Sequence, residues 1–180
     1  MRTSAVLSEG ISKTVLAKYV GLRGLERAAH GIYIVPDVWT DPMHLLQLRF
    51  GQAVFSHDTA LFLHDMTDRE PTQYTVTVKT GYNPTSLKAN GVKVYTVKKE
   101  LYDMGVVKLT TPFGHTVAAY DPERTVCDIV RSRNGIEAQT FQDALKQYVR
   151  RRDKNLHRLM EYAGAFRVEN ILRQYLEVLL

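Results

Sequence analysis

The sequence predicts an α+β fold in two parts, a small N-terminal head over residues 1–40 and a larger α+β domain over residues 41–180. Three observations carry this. Ser4 to Val35 runs as a short helix, a tight turn, a second helix and two short strands. The middle of the chain holds runs with apolar–polar alternation of period two, Tyr74 to Val78 and Val92 to Val97, which is the mark of strands with one buried face. The last third, after Asp121-Pro122, has helical spacing throughout.

In the head, Glu9-Gly10-Ile11 is the turn, and Ser12 is placed to cap the second helix with its hydroxyl. Val15, Leu16, Tyr19 and Val20 fall on one face of that helix, the side expected to be buried. Lys13, Thr14, Ala17 and Lys18 point the other way. Leu25 to Arg27 and Ile32 to Val35 read as strands, with Ala28 to Gly31 turning between them, and Pro36 to Trp39 as connector. A helix with small and basic residues outward suits the major groove of DNA, and a basic wing suits the adjacent backbone. A purely structural helical hairpin has the same pattern.

Beyond the connector, Asp41-Pro42 is a helix start, with Asp as cap and Pro at the first helical position. Ala53 to Phe55 is a short strand, and Ser56 caps a helix carrying Ala60, Leu61 and Leu63. Tyr74 to Val78 is a half-buried strand, Gly81 to Pro84 a loop, and Val92 to Val97 another strand. Val106 to Thr111 and Thr116 to Tyr120 flank Pro112 to His115 as a hairpin. The expected sheet is antiparallel, covered by helices on one face. Asp121-Pro122 opens a helix to about Ser132, stopped by Asn134-Gly135. Ala138 to Arg151 places Phe141, Leu145 and Tyr148 on a core face. Asn155 to Ala163 and Val168 to Leu180 complete the helices, the apolar end suggesting a docked C-terminus.

At 180 residues with 44% apolar and 24% charged residues, the composition is that of a soluble globular protein. No apolar run reaches the roughly 18 residues that span a bilayer, and polar residues interrupt the start so that no signal-peptide core forms, so a cytoplasmic location is expected. One cysteine, Cys127, excludes intramolecular disulfides and cysteine-based zinc fingers. The net charge of +5 mildly favours an anionic partner.

Three constellations bear on chemistry. Ser56-His57-Asp58 and Leu63-His64-Asp65 set two His-Asp pairs at helical spacing, but the further ligands of a metal site are not found, so no metal or cofactor is expected. Glu123, Arg124, Asp128 and Arg131 recur along one helix, where Arg124 with Asp128 and Asp128 with Arg131 are placed to pair. Arg150-Arg151-Arg152 with Lys154 and Arg158 is a basic cluster, read either as a solvated helix end or as a phosphate-contacting patch. Phosphate-binding loops, dinucleotide glycine motifs and hydrolase or zinc-protease signatures are absent.

Four stretches, in order and spacing, resemble the AbiEi antitoxins of bacterial abortive-infection systems. They are Leu25-Glu26-Arg27 through His30-Gly31-Ile32-Tyr33; Phe55-Ser56-His57-Asp58-Thr59-Ala60-Leu61-Phe62-Leu63-His64 with Thr67-Asp68-Arg69; Thr111-Pro112-Phe113-Gly114 with Tyr120 through Arg131; and Tyr175 through Leu180. The third is the most specific, and together they cover nearly the whole chain. The resemblance implies an N-terminal winged helix-turn-helix that represses its own operon by binding inverted repeats in the promoter. It implies a C-terminal domain that counteracts an AbiEii-type nucleotidyltransferase-like toxin, in a type IV system that aborts phage infection. Members of that family begin with a further helix ahead of the position of Met1, so the head is expected to lack its first helix.

On this reading Lys13, Thr14 and Lys18 face the groove, and Arg23, Arg27 and His30 contact phosphates. Asp121, Glu123, Arg124, Asp128 and Arg131 are the candidates for the antitoxin surface. No enzymatic activity is expected. The alternatives are that the C-terminal domain acts enzymatically on the toxin or its target, through Asp121, Glu123, Arg124 and Asp128, or sequesters the toxin in a direct complex.

Overall fold

The chain separates into two units, Met1–Gly51 and Gln52–Leu180, in a computed structural model that describes residues 1–29, 31–36 and 40–179. The division read from sequence fell near residue 40. In the structure the helix opened by Asp41-Pro42 groups with the first unit.

The first unit holds α1 (Thr3–Ser8), α2 (Lys13–Leu22), β1 (Glu26–Ala29), β2 (Ile32–Ile34) and α3 (Pro42–Arg49). Ser12 caps α2 as expected, its Oγ accepting the N–H of Val15 at 3.3 Å. The helix ends where Gly24 takes φ +59, which lets Leu25 N–H return to Val20 O at 3.0 Å and satisfies a carbonyl of the last turn. β1 and β2 pair antiparallel with an irregularity between Arg27 and Ala29. The chain start adds to this hairpin: Arg2 bridges Ile32, and Tyr33 N–H donates to Met1 O at 2.9 Å. That extra pairing was not legible from the sequence, because two residues carry no alternation. At α3, Asp41 Oδ1 accepts from Met43 N at 2.9 Å and His44 N at 3.1 Å, as the Asp-Pro start implied.

The second unit is a five-stranded sheet with helices. Its strands are β3 (Val54–Phe55), β4 (Thr75–Lys79), β5 (Lys93–Val97), β6 (Val106–Thr110) and β7 (Thr116–Tyr120), in the order β5-β4-β3-β7-β6. The β6–β7 hairpin forms as expected, with Thr110 opposite Thr116. The sheet, however, is mixed and not antiparallel. β3 runs parallel to β7, and β4 parallel to β5 from Thr75↔Lys93 to Lys79↔Val97. Parallel neighbours need a crossover, and α5 (Thr85–Ala89), hidden behind the loop signal of Gly81 to Pro84, supplies it. β4 is also buried on both faces instead of one. The outward threonines are absorbed by hydrogen bonds: Thr59 N–H donates to Thr75 Oγ1 at 3.0 Å, and Thr77 Oγ1 donates to Ser56 Oγ at 2.9 Å.

The helices are α4 (His57–Leu63), α5, the one-turn α6 (Lys99–Tyr102), α7 (Pro122–Arg131), α8 (Ala138–Arg150), α9 (Leu156–Phe166) and α10 (Glu169–Leu179). α7 is the centre, packed against α4, α8 and α9. Every residue from Glu123 to Val130 is buried. The core around it contains Leu61, Tyr120, Ile129, Leu145, Tyr148, Leu159 and Leu172, and Phe141, Leu145 and Tyr148 of α8 face inward as their spacing required. Among the described residues no helix is long and apolar enough to cross a membrane.

Candidate functional site

α2 presents three faces at 3.6 residues per turn. Leu16 is buried and Val20 half-buried. Thr14, Ala17, Lys18 and Gly21 share an outward face on which Lys18 is the one long side chain, and a Cβ at Gly21 would meet nothing within 4 Å. Lys13 lies at its edge and is exposed. The third face corrects the sequence reading: Val15 is 56% and Tyr19 46% exposed, not packed with Leu16. The elements of this small unit cover only the Leu16 side of the helix. Arg23 follows at the end of α2, its guanidinium 5.8 Å from the centre of the Tyr19 ring, and Arg27 sits exposed on β1. His30 lies outside the described residues.

In the second unit, four of the five residues expected on a surface are interior. Asp121, Glu123, Arg124 and Asp128 are all 5% exposed or less, and only Arg131 reaches solvent. They are buried because each has internal partners, the condition under which polar groups enter a core. Asp121 Oδ1 caps α7 by accepting Arg124 N–H at 2.7 Å, and Tyr162 OH donates to Oδ2 at 3.3 Å. Glu123 Oε1 accepts Tyr148 OH at 3.0 Å and the backbone N–H of Asn155 at 2.9 Å, joining α7 to α8 and to the start of α9. Arg124 donates from Nε to Asp128 Oδ2 at 3.1 Å, and from Nη1 to the carbonyls of Leu101 at 2.7 Å and Met104 at 2.8 Å. Its guanidinium lies 4.0 Å from the Tyr120 ring centre and 4.1 Å from that of Phe166, while Nη2 has no hydrogen-bond partner among the described residues. The ring faces attract the cation in place of the missing acceptor. Burial, ahead of the opposing pull of Arg124, raises the Asp128 carboxyl to about 6.

A polar group the sequence reading did not assemble lies beside this helix. His57 is buried, at φ 46, stacked on Tyr95 with ring centres 3.6 Å apart. Its Nδ1 meets Ser56 Oγ at 3.0 Å and its Nε2 meets Ser132 Oγ at 3.1 Å. Ser56 stands at the cap position of α4, yet its hydroxyl serves His57 and Thr77 and not the helix. His57 is thus an interior residue held by two serine hydroxyls. The other histidine of the pair, His64, points elsewhere, Nε2 at 2.7 Å from Tyr120 O. Among the described residues no three His, Cys, Asp or Glu side chains gather as metal ligands. The basic cluster is partly internal as well: Arg151 pairs with Asp153 at 2.8 Å and donates to His64 O at 2.7 Å. Cys127 is fully buried, and burial pushes its thiol far up, away from nucleophilic character.

No family model matches this chain, and no curated protein matches it.

Proposed function

We propose that the protein is a DNA-binding autorepressor and antitoxin of the AbiEi kind. Its first unit is read as a winged helix-turn-helix and its second as the part that counteracts an AbiEii-type nucleotidyltransferase-like toxin. The observation that carries the DNA-binding half is the outward face of α2. Thr14, Ala17 and Gly21 leave that face low enough to enter a major groove, and Lys13 and Lys18 bring positive charge to its margins. The order α1, turn, α2, hairpin, with Arg23 and Arg27 exposed beyond the helix, fits a module whose recognition helix lies in the groove and whose wing tracks the backbone. The antitoxin half rests on the resemblance of Thr111 to Arg131 and its companion stretches.

The direct test is a fluorescence-anisotropy titration of the full chain with a duplex from immediately upstream of its own gene, against a scrambled duplex of equal length. Tighter binding to the native duplex is expected, and equal binding to both overturns the repressor reading. Co-expression with a nucleotidyltransferase-like toxin of the AbiEii kind tests the antitoxin reading: growth rescue is expected, and no rescue overturns it.

A further inference from the structure

A cavity of about 290 Å3 opens in the second unit, lined by His57, Thr77, Tyr95, Asp128, Arg131 and Ser132 among others. Its hydroxyls and imidazole form one chain: Thr77 Oγ1 donates to Ser56 Oγ, Ser56 meets His57 Nδ1, and His57 Nε2 meets Ser132 Oγ. Burial first, then the nearby Lys93, Arg124 and Arg131, hold His57 down at about 3, so its ring is neutral in ordinary buffers. A neutral imidazole has one donor and one acceptor nitrogen. Ser56 Oγ accepts the hydrogen bond from Thr77 and has its own hydrogen left to donate to Nδ1. Nε2 then carries the ring hydrogen and donates it in a hydrogen bond to Ser132 Oγ. The direction of the chain leaves the Ser132 hydroxyl hydrogen at the cavity wall, where no acceptor among the described residues takes it.

Arg131, the adjacent residue, also lines the cavity. It is exposed and makes no ion pair with the described residues, and it also lines a second cavity, where its guanidinium is 5.9 Å from the centre of the Phe166 ring. The one carboxylate in the wall, Asp128, is held by Arg124, so Lys93, Arg124 and Arg131 together outweigh it. The cavity therefore offers a guanidinium and an oriented hydroxyl donor in a positive field, against a wall formed by the Tyr95–His57 stack. We infer that this cavity binds a small-molecule oxyanion, with Arg131 and Ser132 as its direct donors and Thr77, Ser56 and His57 fixing the direction of the Ser132 hydroxyl. The volume lies at the low end for small-molecule sites, which suits a phosphate or carboxylate group on a compact body.

The test is isothermal titration of the full chain with inorganic phosphate, AMP and acetate, repeated on Arg131→Ala and Ser132→Ala. Saturable binding of at least one is expected. Arg131→Ala should weaken it about tenfold or more, and Ser132→Ala by about threefold to tenfold, with unchanged melting showing that the fold is kept. Phosphate binding as tightly as AMP identifies the phosphoryl group as the whole ligand, tighter AMP identifies a nucleotide, and binding of acetate alone identifies a carboxylate. No saturable binding of any of the three to the native chain, or binding that both variants leave unchanged, overturns the proposal.

Discussion

Arg124 gives its Nε–H to the carboxylate of Asp128 one helical turn along α7, at 3.1 Å, with both side chains closed off from solvent. The pair sits in the most buried helix of the second unit, and its cation is clamped between Tyr120 and Phe166. Removing one member leaves the other charged and buried. Arg124→Ala is expected to destabilise the protein by about 3–5 kcal/mol, and the double variant Arg124→Met with Asp128→Leu by much less, because it removes both charges and refills the space. Urea unfolding of the two variants checks this. A double variant no more stable than Arg124→Ala would show that the aromatic clamp, and not the ion pair, is what the position requires.

Gly105 tests the same helix from outside. Its φ is +77, and a Cβ there would lie 2.7 Å from the Cβ of Arg124, with the Asp121 carboxylate oxygens at 3.1 and 3.2 Å. Its carbonyl also receives the Asp121 N–H at 2.7 Å. Backbone and side chain both oppose a substitution. Gly105→Ala is expected to cost about 3 kcal/mol or more and to lower the melting temperature accordingly. A wild-type melting temperature would contradict the close approach.

The sequence made the helix starts legible because Asp-Pro and Ser caps are local devices, and Asp41, Asp121 and Ser12 all cap as written. Phe141, Leu145 and Tyr148 were legible because a single apolar face fixes their direction. The burial of α7 was not, because its residues alternate charge with apolar character as a surface helix does. Burying Glu123 and Asp128 depends on Tyr148, Asn155 and Arg124, partners 25 and 32 residues away in the first case and one turn away in the second. The parallel pairing of β4 with β5 was hidden for a similar reason: a short crossover helix carries almost no periodicity. The His57 group joins residues from β4, α4, β5 and the end of α7, and no spacing rule connects positions 57, 77, 95 and 132.

The buried imidazole gives the protein an acid response. The His57 ring is held from its ordinary 6.5 down to about 3 by burial, so between those values the unfolded chain binds a proton that the native chain refuses. Its contribution to stability is complete above the ordinary value and is lost as pH falls through that window. Asp128, raised to about 6, works in the opposite sense: its native form holds a proton that the unfolded form releases, so its contribution is lost as pH rises through about 6. The His57 shift is the larger. The native protein is therefore expected to lose stability, on the order of 1 kcal/mol, between about pH 7 and about pH 5. In His57→Asn, which tolerates the left-handed backbone at this position, the loss should vanish or reverse. Denaturant midpoints at the two pH values decide it, and an unchanged slope in the variant would remove His57 as the cause.

The DNA-binding reading turns on charge at two places in the first unit, Lys18 on the outward face of α2 and Arg27 on β1. Both side chains are exposed, so their removal leaves the buried Leu16 and the Ser12 cap in place. If each neutralises one phosphate, each alanine variant should weaken binding to every duplex to a similar degree and reduce the slope of log affinity against log salt by about one. Thr14 lies between them in role: on the face of α2 that would meet base edges, it should change the preference between native and scrambled duplex with little change in salt slope. Anisotropy titrations of Lys18→Ala, Arg27→Ala and Thr14→Ala at several salt concentrations separate the three outcomes. Full native affinity and slope in both charge variants would mean that α2 and the hairpin do not carry the contact, and that any DNA binding by this chain comes from elsewhere.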